Sequence, residues 1–422
     1  MIPVPRTRAE IKRLQAERKR HAVEQAMRSP FWRPRLQKIK IDRLEDPEEW
    51  RRIPILDKDT LRALTDQQFY SDFCIAGDPV QEYWRSGGVT GQPLFYPRSF
   101  RDMEYGLEAF ARTYDCAAAG KGDRAHISFP LGIHPVGQVF ARCAASRGIT
   151  VNWAGSGAST PSALQIELIQ RLKPTVWLGM SSYALHLANL AEAKGVKLDV
   201  RHLMTSAEPV SQAKRDKIER TWGAKLTDTF GMTECGMMGA EDRPGLGFRI
   251  WTDMYFIEVL DPKTLEPVKE GETGTLVVTS LWSNNVTPFL RWSSGDLVTY
   301  SEADDGAGPF SVFPRIKHAH RTTGFFKVRG VNLGHQDLED FIFRHLEIGD
   351  FRAEVLNEGD NDILRLSIEV RMGADGAGVS RALAAQMREK FELAPQVVVL
   401  ETGTLAREFE ANVKAARFID RR

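Results

Sequence analysis

From about residue 125 onward, short apolar runs alternate with stretches whose apolar positions recur every three or four residues. Runs at 126–131, 149–153, 175–178, 202–205 and 225–230 predict strands, and stretches at 136–147, 162–172, 183–194 and 211–222 predict helices. Gly195 supplies a stop after the third of these helices. Strand and helix alternating in this way predict an α/β fold built of βα units on largely parallel sheets, with ligands collecting at the carboxyl ends of the strands.

After residue 245 the texture becomes strand-like, with runs at 255–260 and 274–279 separated by the turn pairs Asp261-Pro262 and Glu270-Gly271. A loop containing Asp304, Asp305, Gly306, Gly308 and Pro309 precedes a restart. Strands are then predicted at 325–328, 351–355 and 364–370, and helices at 336–346 and 379–391. This pattern divides the chain into a large N-terminal lobe, 1–320, with a β-rich subregion at about 245–320, and a small C-terminal α+β domain, 321–422. The first 40 residues interleave Lys12, Arg13, Lys19, Arg20 and Arg28 with Glu10, Glu17 and Glu24, which predicts a solvated helix of mixed charge.

Composition narrows the function. A length of 422 residues suggests two or three domains, and 42% hydrophobic with 27% charged residues is the balance of a globular protein with a sizeable core. Lys plus Arg number 57 against 56 for Asp plus Glu, a formal charge of +1, so nothing asks for nucleic acid or an anionic membrane as partner. Cys74, Cys116, Cys143 and Cys235 are scattered without a C-x-x-C pair, which indicates neither a zinc module nor a disulfide framework. The N-terminal stretch has no apolar h-region, and no run approaches the roughly 18 apolar residues of a spanning helix. The expectation is a cytoplasmic enzyme acting on small molecules.

Five segments carry candidate chemistry. In Ser86-Gly87-Gly88-Val89-Thr90-Gly91-Gln92-Pro93, glycines let backbone N–H groups approach an anion, and Ser86 and Thr90 add hydroxyls; the stretch reads equally as a glycine-rich hairpin turn. Asp228-Thr229-Phe230-Gly231-Met232-Thr233-Glu234 ends the last βα strand with a hydroxyl beside a carboxylate, suited to a phosphate oxygen and Mg²⁺, or else opens an ordinary helix. The remaining three are Arg291 to Asp296, then Arg321 with Lys327-Val328-Arg329-Gly330-Val331-Asn332, and finally Lys414, each of which alone reads as turn or surface residues.

Their order across more than 300 residues resembles the adenylate-forming superfamily, and most closely its phenylacetate–CoA ligase branch. The resemblance implies roles for these positions. Ser86, Gly87, Gly88, Thr90 and Gly91 would cover the ATP phosphates. Ser206, Ala207, Glu208 and Pro209 would border the adenine. Phe230, Gly231, Thr233 and Glu234 match the aromatic-Gly-x-[ST]-Glu motif, with Asp228 beside it binding the nucleotide and Glu234 on Mg²⁺. Asp296 and Arg321 would hold the ribose, and Thr323 would mark the hinge. Arg329 and Gly330 would approach CoA, and Lys414 would be the catalytic lysine. His134, Trp153, Gly155 and Tyr183 would line the acid pocket.

Departures from the family pattern are Gly87 and Gln92 in the phosphate loop, His320-Arg321-Thr322-Thr323 at the hinge, and Val413 before the lysine. Asp242 and Arg249 fall where some relatives carry zinc ligands, so no structural zinc is expected. The resemblance thus implies an ATP-dependent, AMP-forming ligase joining an aromatic or arylacetic acid to coenzyme A, in a chain for which a homodimer is also compatible. Alternatives are an adenylating enzyme with an amine, carrier-protein thiol or hydroxyl as acceptor, and a nucleotide-binding protein with weakened catalysis.

Overall fold

A computed structural model describes residues 2–85, 94–302, 308–321, 325–358, 361–411 and 416–422, with the side chains of 320, 321 and 361 also left undescribed. The chain forms two compact units. The first comprises Met1–Gly120, Gly132–Arg147 and Thr227–Arg321, and the second Lys121–Leu131, Gly148–Leu226 and Thr322–Arg422. No described helix is long and apolar enough to cross a membrane.

The first unit is built on an antiparallel succession of strands. In spatial order these are Tyr255–Leu260, Thr273–Ser280, Trp292–Ser301, Arg315–Arg321, Phe248–Ile250, Gly236–Ala240 and Lys225–Met232. A separate hairpin pairs Val80–Arg85 with Phe95–Ser99, in register at Arg85 and Phe95. Ser99 and Asp102 then form a capping box that starts the helix Phe100–Cys116. That helix packs on Pro135–Ser146, with Phe110 and Phe140 edge to face at 5.0 Å. Inside this unit Arg112 and Asp253, both fully buried, form a fork of two 2.8 Å hydrogen bonds. The N-terminal helix Arg8–Ala26 forms as expected but is not wholly solvated. Ile11, Ala22, Val23 and Ala26 are buried, and the Lys19 ammonium lies 4.2 Å above the Trp50 ring.

In the second unit four parallel strands lie in the order Thr150–Trp153, Arg124–Ile127, Val176–Gly179 and His202–Thr205. The helices Ser162–Leu172, Ser181–Ala193 and Gln212–Trp222 follow as the periodicity predicts. The run expected as a strand at 126–131 is strand only to Ile127; Ser128 N–H still donates to Leu178 O at 2.6 Å, and Pro130 has no N–H to continue the ladder. The C-terminal segment adds a sheet ordered Gln396–Leu400, Asn361–Val370, Ile348–Glu358 and Phe418–Asp420, with the helices His335–Phe343 and Gly376–Phe391. Within this unit it docks on the βα helices through the buried pair Lys214–Glu339 at 3.1 Å and through Lys217, whose ammonium donates to the Gly349 carbonyl at 2.9 Å. The ring of Phe409 stacks on His186 at 5.0 Å.

Candidate active site

The strand Lys225–Met232 does not run into a helix. Thr233 and Glu234 form a tight turn, closed by Cys235 N–H to Met232 O at 3.2 Å, that leads straight into the strand Gly236–Ala240. The helix-start reading of this motif is therefore corrected to a hairpin. Gly231 is required by the return strand, since a Cβ there would stand 2.6 Å from Gly236 O. Arg98, buried to 2% exposure, holds the turn from inside. Its guanidinium donates to the carbonyls of Thr233 at 2.7 Å and Glu234 at 2.5 Å and to Thr287 Oγ1 at 3.0 Å, above the Trp84 ring.

With Arg98 engaged by carbonyls, the buried Glu234 carboxylate makes no ion pair among the described residues. Its described hydrogen-bond donor is the Tyr96 hydroxyl at 3.4 Å. Burial, and then the neighbouring Glu234 charge, push the Tyr96 hydroxyl far above its usual range, so it stays a donor. A carboxylate turned to no cation fits a hard divalent metal, which takes oxygen ligands.

The strands Trp292–Ser301 and Arg315–Arg321 pair so that Asp296 stands opposite Arg321. The backbone thus brings together the two positions expected to bind ribose, although the Arg321 side chain lies outside the described residues. Asp296 is 2% exposed; the Ser294 hydroxyl and His318 Nε2, the latter at 3.1 Å, donate to its carboxylate. Phe230, the motif's aromatic, lies 6.2 Å from the His318 ring and 5.4 Å from Phe248. The buried Asp228 is tied to Glu241 by two backbone-directed bonds, Asp228 N–H to the Glu241 carboxylate and Glu241 N–H to Asp228 O.

In the second unit Ser206 to Pro209 follow the strand His202–Thr205. Ala207 takes φ +73°, a left-handed conformation rare for a residue with a Cβ. The Glu208 carboxylate accepts 2.6 Å bonds from the N–H and hydroxyl of Ser182, so it caps the helix Ser181–Ala193, whose own N-cap has no side-chain bond. Tyr183, 1% exposed, gives its hydroxyl to a 3.0 Å bond with Ser162, whereas Trp153 is 53% exposed. Gly155 takes φ +78° two residues beyond the strand Thr150–Trp153. His134 belongs to the other unit, at the start of the helix Pro135–Ser146 and 3.3 Å from Arg85.

Arg329 and Gly330 form the two-residue turn between the paired strands Phe325–Val328 and Val331–Gly334. Both have positive φ, +48° and +83°, as a type I′ hairpin demands.

Residues 86–285 match the sequence family of AMP-binding enzymes. A phenylacetate–coenzyme A ligase of Thermus thermophilus is 30% identical over 86% of this chain and 82% of its own. The chain belongs to the adenylate-forming superfamily, in its phenylacetate–CoA ligase-like branch. The corresponding Pseudomonas putida ligase is 27% identical over 97% of this chain and 93% of its own. In fold, a 2-hydroxyisobutyryl-CoA ligase solved in the postadenylation state with 2-HIB-AMP matches at a TM-score of 0.86. It is 23% identical, and the match covers 99% of this chain and 91% of that one.

Against this adenylate-forming framework, Phe230, Gly231, Thr233, Glu234 and Asp296 and the backbone of Arg321 fall within one unit. Ser86, Gly87, Gly88, Thr90, Gly91, Gln92, Thr323, Val413 and Lys414 lie outside the described residues. Described residues on either side of Lys414 are held within their unit. Glu410 accepts from Ser162 N–H at 3.0 Å, and Arg417 forks onto Asp350 at 3.0 and 2.6 Å. Where some relatives hold zinc, Asp242 pairs with Arg249 at 2.9 Å and Arg315 at 2.6 Å. Among the described residues no three His, Cys, Asp or Glu side chains converge for a metal. Arg98, Tyr96 and His318 contact candidate site residues, and sequence reading did not single them out. The only signal for Arg98 is a charge inside a strand otherwise made of Phe95, Tyr96, Pro97 and Ser99.

Proposed function

We propose that this protein is an ATP-dependent, AMP-forming acyl-CoA ligase that activates an aromatic or arylacetic acid as its adenylate and passes the acyl group to coenzyme A. The observation that carries this reading is the strand register that sets Asp296 against Arg321, with the motif aromatic Phe230 packed beside their neighbour His318. A carboxylate is a poor electrophile towards thiols, so its oxygen must leave as AMP. The acid oxygen attacks the α-phosphorus of ATP in line and pyrophosphate departs.

Charge that builds on the phosphate needs donors already in place. In this reading Lys414 supplies the mobile positive charge, Thr233 and the Ser86 to Gly91 backbone orient phosphate oxygens, and Asp296 with Arg321 fixes the ribose. Ser206, Ala207 and Pro209 border the base, and Glu208 keeps that segment in place through its bonds to Ser182. Glu234 is the residue suited to hold Mg²⁺, which when bound would neutralise phosphate charge. Arg98 and Tyr96 fix the Glu234 turn so that its carboxylate need not reorganise.

The division at 321, with a pivot near Thr323, would let residues 321–422 exchange Lys414 for the Arg329-Gly330 turn between adenylation and thiolysis. The acid would lie near His134, Trp153, Gly155 and Tyr183, where an aromatic lining adds about 0.5–1.5 kcal/mol per ring pair. The test is a panel of aromatic, arylacetic and short aliphatic acids scored for ATP–pyrophosphate exchange, then for AMP and thioester formation with CoA. Exchange with no acid would overturn adenylation. Exchange followed by acyl transfer to an amine but not to CoA would overturn the acceptor.

A further inference from the structure

The contact between His318 and Asp296 depends on one irregularity in the ladder. Asp296 stands opposite Arg321 and Leu297 opposite His320, but Val298 stands opposite His318, which leaves Ala319 as an extra residue on its strand. In an unbroken antiparallel ladder His318 would stand opposite Thr299. Its side chain would then leave by the face away from Asp296, because side chains alternate with a period of two. The bulge shifts that phase and returns His318 to the face of Asp296.

There His318 Nε2 lies 3.1 Å from Asp296 Oδ1, while the Ser294 hydroxyl donates to Oδ2. To donate to a carboxylate, Nε2 must carry a proton, and Nδ1 is buried and makes no hydrogen bond among the described residues. The same imidazole packs against Phe230 at 6.2 Å. One side chain therefore touches both the motif's aromatic, Phe230, and the carboxylate expected on the sugar. Two donors on separate oxygens fix the plane of that carboxylate before any ligand arrives, which removes an ordering cost from binding.

We propose that His318 is a positioning residue for the nucleotide: it orients Asp296 towards the ribose hydroxyls and thereby sets how strongly the enzyme prefers ribose to deoxyribose. The inference rests on the reading of Asp296 as the ribose ligand, and the test separates the two. Dissociation constants for ATP, 2′-deoxy-ATP and 3′-deoxy-ATP are measured by titration calorimetry on the full-length wild type, Asp296→Asn, His318→Ala and His318→Gln. The wild type should prefer ATP to at least one deoxy form by about tenfold or more, the worth of a hydrogen bond to a charged group. His318→Ala should bring that ratio close to one while changing affinity for the disfavoured analogue by less than about threefold. His318→Gln, whose amide can donate to the same oxygen, should keep most of the preference.

A merely structural histidine would weaken all three nucleotides together. That result, or an unchanged ratio in His318→Ala, overturns the inference while leaving the reading of Asp296 intact. A wild type without ribose preference, or Asp296→Asn that retains it, overturns the reading of Asp296 and the inference with it. Retained preference in folded His318→Gln guards against a trivial loss of structure in the alanine variant.

Discussion

Arg98→Lys is the perturbation that most directly tests how the Thr233-Glu234 turn is held. The native guanidinium makes three hydrogen bonds, at 2.7 and 2.5 Å to the turn carbonyls and 3.0 Å to Thr287, from a side chain only 2% exposed. A lysine ammonium is a point donor on a flexible stem and cannot span the same fork. If it keeps one of the three bonds, two buried oxygens lose a charged donor. At about 1.5 kcal/mol each, the lower end for such bonds, the loss is about 3 kcal/mol. Because both carbonyls belong to the residues that would touch phosphate and metal, much of this should appear in the adenylation rate, up to about a hundredfold. Exchange of pyrophosphate into ATP gives kcat and KM for ATP, and a melting curve gives the share taken by stability. The fall should lie mainly in kcat, with thioester formation from synthetic acyl-adenylate less affected. Exchange within about threefold of wild type in Arg98→Lys would refute the reasoning, whatever the melting temperature.

Gly231→Ala should cost about 1–3 kcal/mol, because its Cβ would stand 2.6 Å from Gly236 O and neither backbone can yield freely; unchanged melting and exchange would count against the hairpin geometry. Lys414→Ala should lower acid-dependent exchange by orders of magnitude while thioester formation from synthetic acyl-adenylate survives, and equal loss of both half-reactions would remove the role proposed for it. Burial holds the imidazole of His186 down to about 4 against 6.5 for the free side chain. Its penalty is therefore absent above pH 6.5 and grows as pH falls towards 4, to about 3 kcal/mol, so the protein should lose stability across that window. His186→Phe, which keeps the stack on Phe409, should flatten the fall in denaturation midpoint between pH 7 and 4.5, and an unchanged slope would refute the assignment.

Local periodicity made the βα segment readable, because each of its elements buries its apolar side through spacing that the chain itself carries. The helix Ser162–Leu172 and the strands His202–Thr205 and Tyr255–Leu260 begin and end as the pattern predicts. The strand Gly236–Ala240 gave no such signal. All five of its residues, Gly-Met-Met-Gly-Ala, are buried on both faces, so nothing alternates, and the adjoining Thr-Glu then imitated a helix start. Motif order marked Asp296 and Arg321 as candidates, but nothing in the sequence marked the bulge at Ala319, since a register shift is a property of two strands and appears in neither alone.

Two kinds of charge occupy the candidate site. Asp296, Glu234 and Arg321 occupy positions that a family motif marks, whereas Arg98 reaches the turn from 135 residues away and His318 reaches Asp296 across a ladder. Supporting residues of this sort have no fixed offset from the groups they orient, so sequence spacing cannot reveal them. Their effect is nonetheless large, because a buried carboxylate or turn carbonyl has few alternative partners and one lost donor changes its orientation as well as its energy. Nucleotide preference in this chain should therefore depend on His318 and Arg98 as much as on the motif residues they support.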